Sequence, residues 1–166
     1  SELNQKGISS STTRVAEQRG WIKKTQVRQI RNPFLRSVKK SQPLKLNADQ
    51  QAAVSQINSA TSTKQNQIFL LEGVTGSGKT EVSLQSIAHA LSLGRTALML
   101  VPEITLTPQI VGRIRSRFGD QVAMLHSALS NGERFDEWQR INSGQAKVVV
   151  GVRSAVFAPL TNLGLI

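Results

Sequence analysis

A glycine-rich run of eight residues constrains this chain more than any other feature of its sequence. The run matches the pattern Gly-x-x-x-x-Gly-Lys-Thr in full, and it follows an apolar stretch and precedes a helical one. In that setting the glycines let backbone N–H groups surround a phosphate at the positive end of the following helix. The pattern predicts a nucleotide-binding P-loop that consists of Gly73, Val74, Thr75, Gly76, Ser77, Gly78, Lys79 and Thr80.

Two residues of the P-loop are expected to serve catalysis as well as binding. Lys79 would contact the β- and γ-phosphates of ATP, and the hydroxyl of Thr80 would ligate Mg²⁺. Gln50, 23 residues before Gly73, is a candidate for the adenine edge because a carboxamide offers both a donor and an acceptor. The competing interpretation is that Gln50 is a solvated residue in the first turn of a helix. The P-loop alone gives only the ligand class, since small-molecule kinases, GTPases and transporters use the same motif.

Beyond the P-loop, apolar strands alternate with helices. Such alternation predicts the α/β class, with a parallel sheet covered by helices on both faces. The predicted strands are 67–74, 96–101, 121–126 and 147–151, and the predicted helices are 47–59, 79–93, 107–118 and 132–143.

Positive charge is concentrated in the first part of the chain. Residues 1–45 carry a net charge of +9, whereas residues 46–166 carry +2 of the total of +11. Because each Lys or Arg beside a phosphate releases counterions, a basic segment of this kind indicates a polyanion as a partner. A solubilising tail or a basic linker is the alternative.

The basic segment also has a secondary-structure pattern. Residues 9–13 offer helix N-caps, a short helix follows up to Gly20, and residues 21–30 alternate between apolar and basic side chains like a ribbon of strands. This order resembles the second half of a winged helix-turn-helix, whose helix and wing both contact DNA. The predicted organisation is the end of a winged-helix domain at 1–34, a basic linker at 35–45 and a nucleotide-binding lobe at 46–166. The DNA-contact candidates in the first part are Arg14, Lys23, Lys24 and Arg28.

The composition excludes several classes of site. The sequence has no cysteine, so neither a disulfide nor a thiolate metal site forms within it. No apolar stretch is long enough to cross a bilayer and no secretory signal pattern opens the chain, so we expect a cytoplasmic protein without a membrane partner. Because the first residue is Ser1 rather than Met, we expect the sequence to be cut from a longer one.

Five stretches of the sequence together resemble one family, the primosomal replication-restart helicases of bacteria (the PriA family). The resemblance runs from Leu46 to the last residue, with the stretches in the same order and spacing, and the basic N-terminal part is similar to the end of that family's winged-helix domain. The stretches are Gly-Val-Thr-Gly-Ser-Gly-Lys-Thr-Glu-Val at 73–82, Val-Pro-Glu-Ile-Thr-Leu-Thr-Pro-Gln at 101–109, Leu-His-Ser-Ala-Leu-Ser-Asn-Gly-Glu-Arg at 125–134, Val-Gly-Val-Arg-Ser-Ala-Val-Phe-Ala-Pro at 150–159 and Asn-Leu-Gly-Leu-Ile at 162–166.

The resemblance implies a RecA-like lobe of a superfamily-2 helicase that uses ATP and Mg²⁺ to move 3′ to 5′ on single-stranded DNA and recognises forked DNA. It implies a bacterial, nucleoid-associated protein that restarts stalled replication together with single-stranded DNA-binding protein and primosome proteins. The segments 101–109 and 150–155 would bind the backbone of the tracked strand, through Pro102, Glu103, Thr105, Arg153 and Ser154. One position departs from the family: Val152 stands where a Thr is usual, so a hydroxyl contact is absent there.

The same resemblance implies parts that these residues do not contain. The family's Asp-Glu-Glu-His motif, its second lobe with an arginine finger and its zinc-binding cysteine region are absent from the sequence. We therefore expect a truncated lobe that binds nucleotide weakly and does not turn it over. The alternatives are a DNA-binding module that retains a P-loop without turnover, another superfamily-2 translocase, and a P-loop kinase or GTPase, for which the sequence has no acceptor site and no Asn-Lys-x-Asp motif.

Overall fold

The computed structural model describes residues 9–23 and 40–166, which fall into two units divided between Ile30 and Arg31. In the first unit, α1 (Ser10–Gln18) is capped at its N-terminus by Ser9, whose side chain accepts the Thr12 N–H. The predicted short helix is thus confirmed. The three described residues of the predicted ribbon, 21–23, form no strand, and residues 24–30 lie outside the described part.

The described part of the second unit, residues 40–166, contains the other elements. The helices are α2 (Ala48–Thr63), α3 (Lys79–Ser92), α4 (Pro108–Phe118) and α5 (Asn131–Asn142), and the strands are β1 (Thr96–Leu100), β2 (Val122–Leu125), β3 (Val148–Gly151) and β4 (Leu163–Leu165). Three short 3₁₀ turns span Glu103–Thr105, Gly119–Gln121 and Arg153–Phe157.

The four strands of the described residues are all parallel, in the order β2-β3-β1-β4. Alternate side chains of the strands enter two cores, because successive residues of a strand face opposite sides of a sheet. On one face, Val148 and Val150 pack with residues of α3 and α4; on the other, Val149 packs with Ile141 of α5. The predicted α/β class, a parallel sheet with helices on both faces, is confirmed.

The predicted strand 67–74 does not form. These residues follow an irregular path, and the side chains of Ile68 and Leu70 are 99% and 91% exposed. A cavity of about 740 Å³ is lined by Ile68 and Phe69 of this run and by Leu163 and Leu165 of the edge strand β4. An apolar run becomes a strand only beside a partner that accepts its backbone hydrogen bonds, and here the cavity takes the partner's place. The prediction was wrong for that reason.

The outer edge of β2 is closed by a buried ion pair of α5. Arg140 Nη1 lies 2.7 Å from Glu137 Oε1. Glu137 also accepts the Met124 N–H at 2.9 Å, and Arg140 donates to the carbonyls of Asp120 and Val122. These side chains bind backbone groups that a further strand would otherwise bind, so the β2 edge is protected from pairing with another chain.

Residues 40–45, which belong to the predicted basic linker, are bound to the lobe. The Ser41 N–H donates to the Ser116 carbonyl at 2.8 Å. The Leu44 N–H donates to Glu81 Oε1 at 3.0 Å, and the Leu44 carbonyl accepts from Gln85 at 2.9 Å. The end of the linker is therefore fixed on α3 and α4. No helix in the described part of the chain is both long and apolar enough to span a bilayer.

Candidate nucleotide and nucleic-acid site

The P-loop lies at the carboxyl edge of the sheet. Only Leu93, Gly94 and Arg95 join α3 to β1, so α3 ends beside the amino end of that strand. The 14 residues of α3 then run back over β1 for about 21 Å. The P-loop, which precedes α3, consequently sits beyond the carboxyl ends of the strands, where open parallel sheets bind their ligands.

The N-terminus of α3 differs from those of the helices around it. The side chains of Asn47, Thr107 and Ser130 cap α2, α4 and α5, whereas the N-cap residue of α3 is Gly78, which has no side chain to cap the helix. Within the described residues the N–H groups of Thr75, Gly76 and Gly78 form no hydrogen bond. These donors and the positive end of the helix dipole form a site suited to a phosphate.

Two glycines of the P-loop are required by its backbone. Gly76 has φ +84° and Gly78 has φ +85°, a left-handed region that side chains rarely adopt. At Gly76 nothing lies within 4 Å of an added Cβ, whereas at Gly78 a Cβ would come within 2.3 Å of Gln50 Nε2. Gly78 is thus needed for its conformation and for the space that Gln50 occupies.

The ammonium group of Lys79 lies over the P-loop. It donates to the carbonyls of Gly73 and Val74, the second at 3.0 Å. A phosphate bound in the loop would compete with these carbonyls for the same ammonium, which is mobile on its four-carbon stem. The position of Lys79 fits the predicted role at the β- and γ-phosphates.

Gln50 braces the P-loop from α2. Its Oε1 accepts the Asn47 N–H at 2.9 Å in a capping box, and its Nε2 donates to the Ser77 carbonyl at 2.8 Å. A cavity of about 310 Å³ beside it is lined by Gln50, Asp49, Val74 and Lys79. This smaller cavity, rather than the larger one against β4, is the nucleotide candidate because the P-loop lysine faces it. The predicted adenine contact of Gln50 stays a prediction, and the contact with Ser77 is an addition to it.

Mg²⁺ has one protein candidate here. Thr80 is the second residue of α3 and is half-buried beside the phosphate site. Mg²⁺ keeps several waters and is bound through one or two side chains plus the substrate's phosphates, so a single hydroxyl at this position fits the ion. Among residues 9–23 and 40–166, no cluster of three or more His, Cys, Asp or Glu side chains could hold a metal ion.

The loops that follow β1, β2 and β3 meet at the same carboxyl edge. The Val101 N–H donates to the Gly151 carbonyl at 2.9 Å, and the Val152 N–H donates to the Leu125 carbonyl at 3.2 Å. These bonds join the ends of the three strands, so the predicted DNA segments 101–109 and 150–155 lie side by side.

The predicted DNA contacts in these loops are exposed. Pro102, Glu103 and Thr105 lie on the loop after β1, where Glu103 accepts from the Ser127 hydroxyl of the loop after β2. Arg153 and Ser154 begin the 3₁₀ turn after β3. The structure therefore brings all five candidates to the edge that also carries the P-loop.

The comparisons with known proteins agree with this geometry. The model of the family described as "Type III restriction enzyme, res subunit" matches residues 43–164. The chain belongs to that family. The matched region is a RecA-like helicase lobe, as the sequence motifs predict.

Several relatives are named replication restart protein PriA. The chain is 48% identical to that of Bacillus subtilis (strain 168) over 159 residues, 95% of this chain and 20% of the relative. It is 40% identical to that of Haemophilus influenzae over all 166 residues, 21% of the relative. It is 57% identical to that of Synechocystis sp. over 97 residues, 58% of this chain and 12% of the relative. The resemblance to this family is confirmed, and the chain spans about a fifth, or less, of these relatives.

The DNA-contact candidates of the N-terminal part are only partly described. Arg14 is exposed on α1, and Lys23 is exposed after it. Lys24 and Arg28 lie outside the described residues. A contact that sequence analysis did not predict lies here: the Arg19 guanidinium sits 5.1 Å from the centre of the Trp21 ring, a cation–π pair.

The partners that hold α3 in place were not predicted from the sequence. Glu81, next to Thr80, is buried and accepts from Arg117 of α4 at 3.0 and 3.1 Å. It also accepts from Gln85, four residues on in the same helix, at 3.0 Å. The spacing of Glu81 and Gln85 could have indicated their contact, whereas nothing local could have indicated Arg117.

Proposed function

We propose that this chain supplies the ATP-binding lobe of a 3′-to-5′ DNA helicase that restarts stalled replication at forked DNA. One observation carries the proposal: the uncapped N-terminus of α3 and the loops after β1, β2 and β3 share one edge of a parallel sheet. Nucleotide and nucleic acid would then bind side by side, which is what coupling ATP use to movement requires. Relatives named replication restart protein support the biological role.

In this proposal the P-loop binds ATP with Mg²⁺. The N–H groups of Thr75, Gly76 and Gly78 and the first turn of α3 surround the β-phosphate. Lys79 contacts the β- and γ-phosphates, and Thr80 ligates Mg²⁺, which neutralises charge on the phosphates when it is bound. Gln50 holds the loop through Ser77 and lies beside the adenine. The remaining loop residues, Gly73, Val74 and Ser77, complete the backbone of the site.

The tracked DNA strand is proposed to cross the loops after β1 and β3. Phosphate contacts position a strand without reading its sequence, and a helicase needs contacts of that kind. Pro102, Glu103 and Thr105 shape the first loop, and Arg153 and Ser154 supply a cation and a hydroxyl on the second. At Val152 only the backbone is available to a phosphate.

The wider role follows from the resemblance. The basic N-terminal part contacts forked DNA through Arg14, Lys23, Lys24 and Arg28. Single-stranded DNA-binding protein and primosome proteins are its protein partners. The protein acts in the bacterial cytoplasm, at the nucleoid. Zinc belongs to a part of the family's architecture with cysteines, which this sequence lacks. The Asp-Glu-Glu-His motif is not among these 166 residues, so the chain alone is proposed to bind nucleotide weakly without turning it over.

A segment exchange tests the helicase proposal. The 159-residue stretch of this chain that aligns with the Bacillus subtilis relative at 48% identity would replace the matching segment of that relative. We expect the hybrid to hydrolyse ATP faster when single-stranded DNA is added, and Lys79→Ala to abolish the stimulated rate. Lys147→Ala, at an exposed lysine before β3, is the matched control and should leave the rate unchanged. An unaffected rate in the Lys79→Ala hybrid would remove the helicase proposal.

A further inference from the structure

The 3₁₀ turn Arg153–Phe157 is held firmly on the sheet. Its middle residue, Ala155, is fully buried in the core that contains Leu98 and Val149. A Cβ on Gly151 would lie 2.6 Å from the Ala155 side chain, so the glycine allows the turn to pack this closely. The side chains that flank Ala155 are therefore presented outward from a fixed backbone.

Phe157 is the unexpected member of that turn. Its side chain is 77% exposed, although an aromatic ring is among the side chains that gain most from burial. In a 3₁₀ helix, residues three apart eclipse one another and lie about 6 Å apart along the axis. Phe157 therefore lies on the same side of the turn as Ser154, which is exposed as well.

We propose that Phe157 stacks on a nucleobase of the single strand whose phosphates Arg153 and Ser154 contact. The inference rests on the proposed function and adds a base contact to it. With the hydroxyl of Ser154 one turn from the ring, a phosphate and a base of the same stretch of strand are engaged together. Stacking on an aromatic ring tolerates any sequence because every base has a π-face, which suits an enzyme that moves along DNA.

The surroundings of Phe157 favour nucleic acid over a protein partner. The turn that carries Phe157 also carries the exposed cation Arg153, and a cation of this kind gains from a phosphate backbone through counterion release. The neighbouring loop after β1 is the other predicted DNA segment, joined to this one by the bond between Val101 and Gly151. Cation, hydroxyl and ring on one rigid turn are the groups that a single strand recognises.

Fluorescence anisotropy of the 166-residue chain with a labelled oligothymidylate tests the inference. We expect Phe157→Ala to weaken binding about tenfold, the size of one lost stack, and Phe157→Trp to retain it. Phe157→Leu keeps an apolar side chain without a π-face and should behave like Phe157→Ala. Leu93→Ala, at an exposed apolar residue beyond the far end of α3, is the matched control and should bind normally.

A second pair of measurements separates base stacking from other roles. An oligonucleotide with abasic sites should bind the unaltered chain about as weakly as Phe157→Ala binds intact DNA, and the variant should not distinguish the two DNAs. The logarithm of the binding constant falls linearly with the logarithm of the salt concentration. The slope of that line should be unchanged in Phe157→Ala and should be smaller by about one in Arg153→Ala.

The outcomes distinguish the two proposals. Full binding by Phe157→Leu, or equal binding of abasic and intact DNA by the unaltered chain, would overturn the stacking inference and point to a protein contact at this ring. Salt-dependent binding would in that case leave the proposed function in place. If the unaltered chain did not bind single-stranded DNA at all, the proposed DNA path and the stacking inference would both be lost.

Discussion

Arg117 of α4 donates from one nitrogen, Nη2, to both carboxylate oxygens of Glu81 on α3, at 3.0 and 3.1 Å. Both side chains are more than nine-tenths buried. Glu81 immediately follows Thr80, so this pair fixes the first turn of the P-loop helix. Because Glu81 also accepts the Leu44 N–H at 3.0 Å, the segment before α2 is anchored at the same point.

Removing Glu81 should destabilise the lobe more than removing Arg117. In Glu81→Ala the guanidinium of Arg117 is left buried without its acceptor, which costs about 3–5 kcal/mol. In Arg117→Met the carboxylate keeps its hydrogen bonds from Leu44 and Gln85, so the loss should be smaller. Urea unfolding of the chain and both variants at neutral pH measures the difference. Equal losses would show that Leu44 and Gln85 do not support the carboxylate.

The same carboxylate should make stability depend on acid pH. Burial raises the pKa of Glu81, but hydrogen bonds from Gln85, Leu44 and Arg117 and the charge of Arg117 outweigh it and lower the pKa below its ordinary value. This contribution is therefore complete above the ordinary glutamate pKa of about 4.3 and is lost as pH falls through the lower folded value. The stability gap between the unaltered chain and Glu81→Gln should shrink as the pH falls below the ordinary glutamate pKa and through the lowered folded value. A gap that stays constant in urea titrations would contradict this.

Gln50→Glu should weaken nucleotide binding without loosening α2. The new carboxylate still accepts the Asn47 N–H of the capping box, but it has no donor for the Ser77 carbonyl and repels that oxygen. Losing one such hydrogen bond costs about 1 kcal/mol or more, so we expect an affinity loss of about fivefold to tenfold for a fluorescent ATP analogue. Gln51→Glu, at the exposed neighbour, makes the same charge change and should bind normally. Equal losses of nucleotide affinity in Gln50→Glu and Gln51→Glu would show that the added charge alone causes the effect.

Gly76→Ala and Gly78→Ala should respond differently to a second substitution at Gln50, although the φ angles of the two glycines are nearly the same. Both alanines would adopt a left-handed φ, at a cost of about 1–2 kcal/mol. Only at Gly78 would the new Cβ clash with Gln50, 2.3 Å from its Nε2. Gly78→Ala should therefore also displace the Gln50 side chain from the Ser77 carbonyl. Adding Gln50→Ala should therefore recover part of the stability lost in Gly78→Ala and none of that lost in Gly76→Ala. Thermal unfolding of the four variants checks this, and recovery in both backgrounds would be evidence against the proposed clash.

Glu137→Ala should destabilise the chain and promote its association. The change leaves Arg140 buried without its partner, at a cost of about 3–5 kcal/mol, and exposes the Met124 N–H of the edge strand β2. An unprotected edge pairs with other chains. Sedimentation velocity at increasing concentration should show larger species for Glu137→Ala but not for Gln139→Ala, an exposed residue of the same helix. Association of both variants, or of neither, would show that Glu137 does not protect the edge.

The sequence by itself determined the features that depend on near neighbours. The P-loop glycines, the helix start at Asn47 and the apolar run Val148–Val150 each specify local structure because backbone conformation and side-chain alternation are set within a few residues. The order of the elements then fixed the α/β class and placed the P-loop at the carboxyl edge.

Tertiary structure decided the partners that are distant in the chain. Arg117 lies 36 residues from Glu81, and Gln50 meets Ser77 across 27 residues, contacts that depend on how two helices pack and that no local pattern encodes. Residues 67–74 also depend on a distant partner. Their apolar side chains predicted a strand, but a strand needs hydrogen bonds from a neighbouring backbone as well. A cavity lies beside Ile68 instead, and no strand forms. Local sequence sets what each segment can become, and packing sets which of those possibilities is stabilised.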